Sequence, residues 1–305
     1  MDCRTSGATM GTRYAARFVA PAGTDVPTIE RALASAVTAV DHQMSNWAPE
    51  SDLSRLNRAT PGLWTPIPAN LACVLTRALE IGCATDNAFN IGVGDLVDAW
   101  GFGPGGARHI AAAPRPRPRV DTLLEVDLAG CRARRHADVA LDLCGIAKGF
   151  GVDELARVLD GFGIGSWLVG IDGELRARGA KADGSAWAIA LEAPCADRRD
   201  AMAVVELGDV AIATSGDYRH GFDLGGVHIG HTMDPRTGTP ARGGLAAVTV
   251  IAPRCADADA YATALMVLGP GAGADCARRL GLDALFVQRE DAGVRAFGTG
   301  TFGDV

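Results

Sequence analysis

The sequence has no run on the order of eighteen apolar residues, so no segment qualifies as a membrane-spanning helix. Its opening stretch, MDCRTSGATMGT, lacks the apolar core of a secretory signal. The chain as given therefore reads as cytoplasmic, with an exported or lipid-anchored form left open if its N-terminus has been trimmed. Positive charge is in short supply. Lys and Arg number 29 against 36 Asp and Glu, a net charge of -7, which argues against a nucleic-acid partner. The RPRPR cluster at 115–119 is spaced by prolines and reads as a solvated connector. Eight cysteines are scattered without one C-x-x-C pair, which disfavours zinc ribbons, iron–sulfur clusters and thiol redox chemistry. Most read as small buried hydrophobes, in keeping with a reducing compartment. None of the six histidines forms an H-x-x-x-H metal pair, and His42, His109, His136, His220 and His228 read as surface or structural. There is no short-period repeat.

What is present is an ordinary globular composition: 305 residues, 48% hydrophobic and 21% charged, enough for one large or two intimate domains. Alternation predicts a first strand over 12–19, and a 3.6-residue period predicts helices over 29–44 and 71–83, with a short one after Ser51. Turns are expected at Asn87 and Gly92, a Gly/Pro/Arg-rich connector over 103–119, and a short helix over 122–126. The second half is rich in strands (SWLVGI, GELRARG, AWAIALEAP, MAVVEL, VAIATS, HIGHTM, AAVTVIAP), followed by helices over 258–268 and 272–280 and the run LDALFVQ. This order predicts an α+β fold with mostly antiparallel sheets and flanking helices, forming one catalytic unit over 1–305 with two closely packed lobes.

Four stretches carry candidate chemistry. In LDLCGIAKGFGVDE (141–154), a strand-like run with Leu141 and Leu143 breaks at Gly145 and restarts as a helix. Glycines 145, 149 and 151, the free N–H groups of a helix start and Lys148 could receive a polyanion there, although plain strand–turn–helix packing explains the pattern about as well. In ADADAYATAL (256–265), Asp259 and Thr263 are four residues apart and share one helix face. They are hard oxygen ligands suited to Mg²⁺. The bland alternative is an Asp complementing the helix dipole and a Thr bonded back to its own backbone. HTMDPRTGTP (231–240) is a rigid turn that fixes His231 as a base or orienting group, or else an ordinary polar hairpin. ATSGDYRHG (213–221) reads as a polar turn. Trp47, stranded among polar residues, is either a half-buried aromatic or a ring-stacking platform.

Taken together and in order, MGTRY, MSNW with SDLSRLN, AFNIGVGDLVDAWGFGP, LDLCGIAKGFGVD, IDGEL, ATSGDY, HTMDPRTG and ADAYATAL resemble the ApbE family of FAD:protein FMN transferases across nearly the whole chain. The resemblance implies a T-fold-related α+β fold, FAD as substrate and Mg²⁺ as cofactor. It also implies transfer of FMN to a Thr or Ser of an acceptor flavoprotein subunit, with AMP released. It assigns the metal to the Ala147 carbonyl, Asp259 and Thr263, with Ala262 adjacent and contributing backbone oxygen. It sets FAD against Met10, Trp47, Ala88, Phe89, Asn90, Cys144, Phe150 and Met233, with His231 as general base and Lys148 assisting. Three residues depart from the family pattern: Asn90 stands for a usual Asp, Asp172 for the first Gly of Gly-Gly-Glu, and Cys144 for a small or hydroxylic residue. These departures bear on flavin affinity more than on the reaction. A Mg²⁺-dependent FAD pyrophosphatase and a non-catalytic FAD-binding protein remain the competing readings.

Overall fold

The computed structural model describes residues 1–106, 115–194, 200–218, 221–225, 227–290 and 293–303. The chain opens with a hairpin of β1 (Asp2–Thr9) and β2 (Thr12–Val19). Met10 (φ 46°) and Gly11 (φ 71°) form its two-residue turn, and the register closes on Thr9 opposite Thr12. Left-handed backbone at both turn positions matches the strands' twist. Asp25 caps α1 (Val26–Met44) and Ser51 caps α2 (Asp52–Arg58), each accepting a backbone N–H three residues on. Next come β3 (Thr65–Pro66), α3 (Ala69–Ala84), α4 (Gly94–Ala99), β4 (Leu124–Asp127), β5 (Arg132–Arg135) and α5 (Ala147–Gly161). The strands β6 (Trp167–Ile171), β7 (Glu174–Arg178), β8 (Trp187–Glu192), β9 (Ala201–Leu207) and β10 (Ala211–Gly216) follow. After them lie β11 (Gly221–Leu224), β12 (Val227–Gly230), β13 (Met233–Asp234), β14 (Thr239–Pro240) and β15 (Leu245–Ala252). The chain ends with α6 (Cys255–Leu268), α7 (Pro270–Leu280), β16 (Asp283–Glu290) and β17 (Gly293–Thr299).

The main sheet has eight strands in the order β1-β2-β6-β7-β10-β15-β16-β17, antiparallel throughout. Its strands bury alternate residues on each face. On one face Phe18, Val169 and Ile171 meet Leu33 and Val37 of α1 and Val152, Leu155 and Leu159 of α5. Farther along the same sheet Val248, Val250 and Phe286 meet Ala258, Ala262 and Leu265 of α6. The β8–β9 hairpin forms its own two-stranded sheet, and its Trp187, Leu191 and Leu207 cluster with Ala177, Ile212 and Leu285 of the main sheet. Each fully buried side chain of this size contributes about 1.5–3 kcal/mol. The α+β class with mostly antiparallel sheets is as the element order predicts. No helix among the described residues is long and apolar enough to cross a membrane.

Two expected elements differ. The short helix over 122–126 is instead one 3-10 turn, Val120–Thr122, followed by β4, whose Leu124 is buried and whose Glu125 and Asp127 lie opposite Arg134 and Arg132. Residues 139–143 form no strand. The Asn57 side chain takes both backbone groups of Leu141 (2.8 and 2.9 Å), and the Asp142 N–H donates to the Ile91 carbonyl (2.7 Å). Side chain and loop satisfy groups that a ladder would otherwise hold.

Glycines 145, 149 and 151 are explained by packing. A Cβ on Gly149 would overlap the Cys255 carbonyl, where α5 crosses α6. One on Gly151 would lie 2.8 Å from Ile171 Cδ1, and one on Gly145 would lie 3.0 Å from Thr263 Oγ1. Gly149→Ala is therefore expected to cost about 1–3 kcal/mol, because the obstacle is backbone and cannot rotate away. Chemical denaturation checks this, and an unchanged midpoint would contradict it.

Candidate active site

A cavity of about 540 Å³ opens where the start of α5, the middle of α6, the β6–β7 turn, the end of β10 and the loop carrying His231 converge. Its size suits a small-molecule ligand. Met10, Ala88, Phe89 and Met233 give it an apolar wall, and Trp47, 62% exposed, stands at its rim. Asn90, Cys144, Lys148, Asp259, Thr263 and His231 line it as well.

Three predicted residues are not in the wall. Ala262 is buried in the core beneath the sheet, Ala147 lies in the core beside α3, and Phe150 packs partly buried against that same core. Phe150 packs half-buried against the core and does not line the cavity. For Ala147 and Ala262 only backbone oxygen is relevant.

The acidic side is built on α6. Asp259 is 4% exposed, and its Oδ2 accepts the Gly149 N–H at 3.0 Å. Burial pushes its carboxyl up to about 6, against the pull of Lys148 and of the Gly149 N–H. One turn on, Thr263 Oγ1 lies 3.0 Å from Ser215 Oγ on β10. Because α6 begins at Cys255, Asp259 sits in its second turn. The first-turn acid is Asp257, paired with Arg254 (3.0 Å) and Arg77 (2.8 Å), so the dipole-complementing role falls to Asp257.

The start of α5 differs from an open anion cradle. The Ala147 N–H donates to Leu143 O (2.8 Å), that of Gly149 to Asp259 and that of Phe150 to Ile146 O (3.0 Å). What the turn offers a ligand is the Lys148 ammonium. Its Nζ lies 2.8 Å from Glu174 Oε1 and 3.8 Å from Asp172 Oδ2, and these carboxylates hold its pKa above the ordinary lysine range despite burial. Glu174, at the first position of β7, is 3% exposed, and burial pushes its carboxyl upward against the opposing pull of the Lys148 ammonium. Periodicity does not single it out, since one acidic residue at a strand start carries no periodic signal; only the family likeness reaches it, as the Glu of the Gly-Gly-Glu motif in which Asp172 departs.

Asp142 accepts the Cys144 N–H at 2.7 Å, and burial raises its pKa. The Asp142 charge beside it drives the exposed Cys144 thiol well above its usual range, so Cys144 lines the wall as a thiol and not a thiolate. Asn90 is committed to the fold: its amide donates to Asn87 Oδ1 (2.9 Å) and Pro118 O (3.1 Å), and its oxygen accepts the Gly92 N–H (2.7 Å).

His231 precedes β13, with the Phe102 ring edge-on at 6.3 Å. Its loop is rigid, as Asp-Pro and Gly predict. Asp234 takes Arg236 Nε and Nη2 at 2.9 and 2.8 Å, and Nη2 also reaches the Val267 carbonyl of α6 at 3.0 Å. The connector bears on the same loop: the Arg117 N–H donates to Pro235 O at 2.6 Å, and its guanidinium pairs with Asp95. His109, His220, Cys195 and part of the connector lie outside the described residues. The other seven cysteines are free thiols.

Among the described residues no three His, Cys, Asp or Glu side chains gather as a metal group. The donor set is instead a buried carboxylate, a hydroxyl one turn away and nearby backbone carbonyls. These are hard oxygens that suit a cation taking its remaining positions from water and phosphate. A carboxylate held up at about 6 by burial is one that a cation would neutralise. The residues therefore fit Mg²⁺.

The ApbE family profile matches residues 10–286. The curated FAD:protein FMN transferase of Vibrio cholerae is 34% identical over 302 residues, covering 97% of this chain and 90% of that protein. The one from Salmonella typhimurium is 34% identical over 300 residues, covering 95% and 85%. Among solved structures, the flavin transferase ApbE from Vibrio cholerae superposes with a TM-score of 0.86 at 33% identity, covering 99% of this chain and 98% of that one. The Pseudomonas stutzeri flavinyl transferase ApbE, in its apo form, gives 0.87 at 34% identity, covering 99% and 96%. With a profile spanning most of its length and relatives this similar end to end, the chain belongs to the ApbE family.

Proposed function

We propose that this protein transfers FMN from FAD to a Thr or Ser hydroxyl of an acceptor flavoprotein, with Mg²⁺ bound and AMP released. The relatives' activity points there. The observation that carries the reading in this chain is the wall of one cleft, where Asp259, Thr263, Lys148 and His231 meet beside an apolar face. Acidic groups outnumber basic ones in the cleft: among the described residues Asp142, Asp172, Glu174, Glu192 and Asp259 line it with Lys148, a balance that a diphosphate meets better with a cation bound.

Asp259, Thr263 and the backbone oxygens of Ala147 and Ala262 would hold Mg²⁺, which when bound supplies neutralisation of the diphosphate. Lys148 adds a point charge toward phosphate oxygen. Met10, Phe89 and Met233 exclude water from the flavin side, and Trp47 offers a ring face at the rim. His231 takes the proton of the acceptor hydroxyl as its oxygen bonds to the FMN phosphorus and the bond from that phosphorus to the AMP oxygen breaks. Water in the hydroxyl's place would give FMN and AMP.

The test is the intact mass of an acceptor subunit after incubation with the protein, FAD and Mg²⁺. The expected result is one added FMN per acceptor with matching AMP. Free FMN and AMP beside an unlabelled acceptor would make the protein a pyrophosphatase, and FAD retained intact would make it a binding protein.

A further inference from the structure

We propose that Glu174 is a positioning residue for the transfer: it holds the Lys148 ammonium inside the cleft and acts on the reaction only through Lys148. The inference rests on the reading that FAD binds in this cleft.

Glu174 stands where the β6–β7 hairpin closes, opposite Ile171. It is 3% exposed, its Oε1 lies 2.8 Å from Lys148 Nζ, and its Oε2 is buried with no hydrogen-bond partner among the described residues. Stability does not explain such a group. A buried carboxylate with one oxygen unmatched is costly, and buried ion pairs are commonly replaced by apolar side chains without loss. The strand register needs only a side chain of similar length at this position.

What Glu174 does is decide where a flexible lysine points. Lys148 has a second carboxylate in reach, Asp172 Oδ2 at 3.8 Å, on a side chain half exposed at the hairpin turn. Asp172 sits at φ 53°, a left-handed conformation that glycine adopts more easily, so backbone strain is tolerated to keep that side chain in the cleft wall. Between the two acids, the closer and buried Glu174 anchors the ammonium deep in the cavity. The half-exposed Asp172 would draw it toward the rim. An ammonium on four rotatable bonds needs such an anchor to deliver its charge to one oxygen.

The test is a double-mutant cycle in the full chain: Lys148→Met, Glu174→Gln and the pair, each read for single-turnover transfer with FAD, Mg²⁺ and acceptor, for FAD affinity by flavin fluorescence and for melting temperature. Glu174→Gln is expected to slow transfer roughly tenfold to a hundredfold while changing FAD affinity less, with a melting temperature equal to the parent's or higher. The double variant is expected to transfer no more slowly than Lys148→Met. It should also recover the melting temperature that Lys148→Met loses by stranding a buried carboxylate. Additive losses would show Glu174 acting independently of Lys148 and overturn the inference, as would full activity of Glu174→Gln. If activity falls only in step with melting temperature, in Glu174→Gln and Glu174→Met alike, the role is structural and the inference fails. A fully active Lys148→Met also removes it, while continued acceptor labelling leaves the transferase reading intact.

Discussion

Asp259→Asn is expected to abolish Mg²⁺-dependent flavin attachment, a loss on the order of 10³-fold or more, because it removes the one carboxylate on the oxygen-rich face of α6. The substitution keeps the shape and the acceptor for the Gly149 N–H, so the variant should fold. The pH dependence distinguishes this from damage. The folded-state pKa of Asp259, about 6, lies above its ordinary 3.8, so the native protein binds a proton there that the unfolded chain has released between roughly pH 4 and 6. Asp259 therefore favours folding most fully below that window, and the contribution is lost as pH rises through about 6. Without metal, the parent should lose stability relative to Asp259→Asn across this window, and Mg²⁺ should restore the parent alone. Thermal melts with and without Mg²⁺ read this. Labelling by the variant within tenfold of the parent would remove Asp259 from the metal assignment.

His231→Asn is expected to slow transfer by about 10² to 10⁴ while leaving FAD affinity and melting temperature near the parent's. The loop is braced by Asp234, Arg236 and the Val267 carbonyl, contacts that His231→Asn leaves in place. Single-turnover labelling across a pH series checks it. A variant as fast as the parent would show that the acceptor hydroxyl loses its proton elsewhere. A collapse in melting temperature would make His231 structural.

The helices were legible because their apolar residues repeat at 3.6 and their starts carry caps. Ser51 and the buried Leu53 and Leu56 of α2 stand where the pattern puts them. The strands of the second half were legible from alternation. What escaped was non-local. β1 was invisible because Met10-Gly11 lacks the Asn-Gly or Asp-Gly signature of a tight hairpin, although its backbone adopts the same left-handed turn. Residues 139–143 look like a strand because they are mostly apolar, and only the Asn57 side chain, 84 positions away from Leu141, shows that no ladder is needed.

The site divides in the same way. Asp259 and Thr263 share a face by helical spacing alone, whereas their meeting with Lys148 and His231 depends on packing that motif order and family likeness indicate and local pattern does not. The glycine turn was visible as a motif, yet Gly145 and Gly149 make room for α6 and Gly151 for Ile171 of β6, and its N–H groups are mostly spent within the fold. Glu174 is visible only as the Glu of the family's Gly-Gly-Glu motif, and its burial beside Lys148 is a tertiary fact that local pattern does not carry.

On the proposed reading, a divalent cation on Asp259 and Thr263 grips the diphosphate of FAD within reach of His231. A crystal grown with FAD and Mn²⁺ in place of Mg²⁺ tests it most directly through the anomalous signal of the metal. The predicted result is a peak between the Asp259 carboxylate, the Thr263 hydroxyl and the flavin diphosphate, with the imidazole facing the FMN phosphorus. A metal peak away from α6, or flavin bound outside this cleft, would contradict the account.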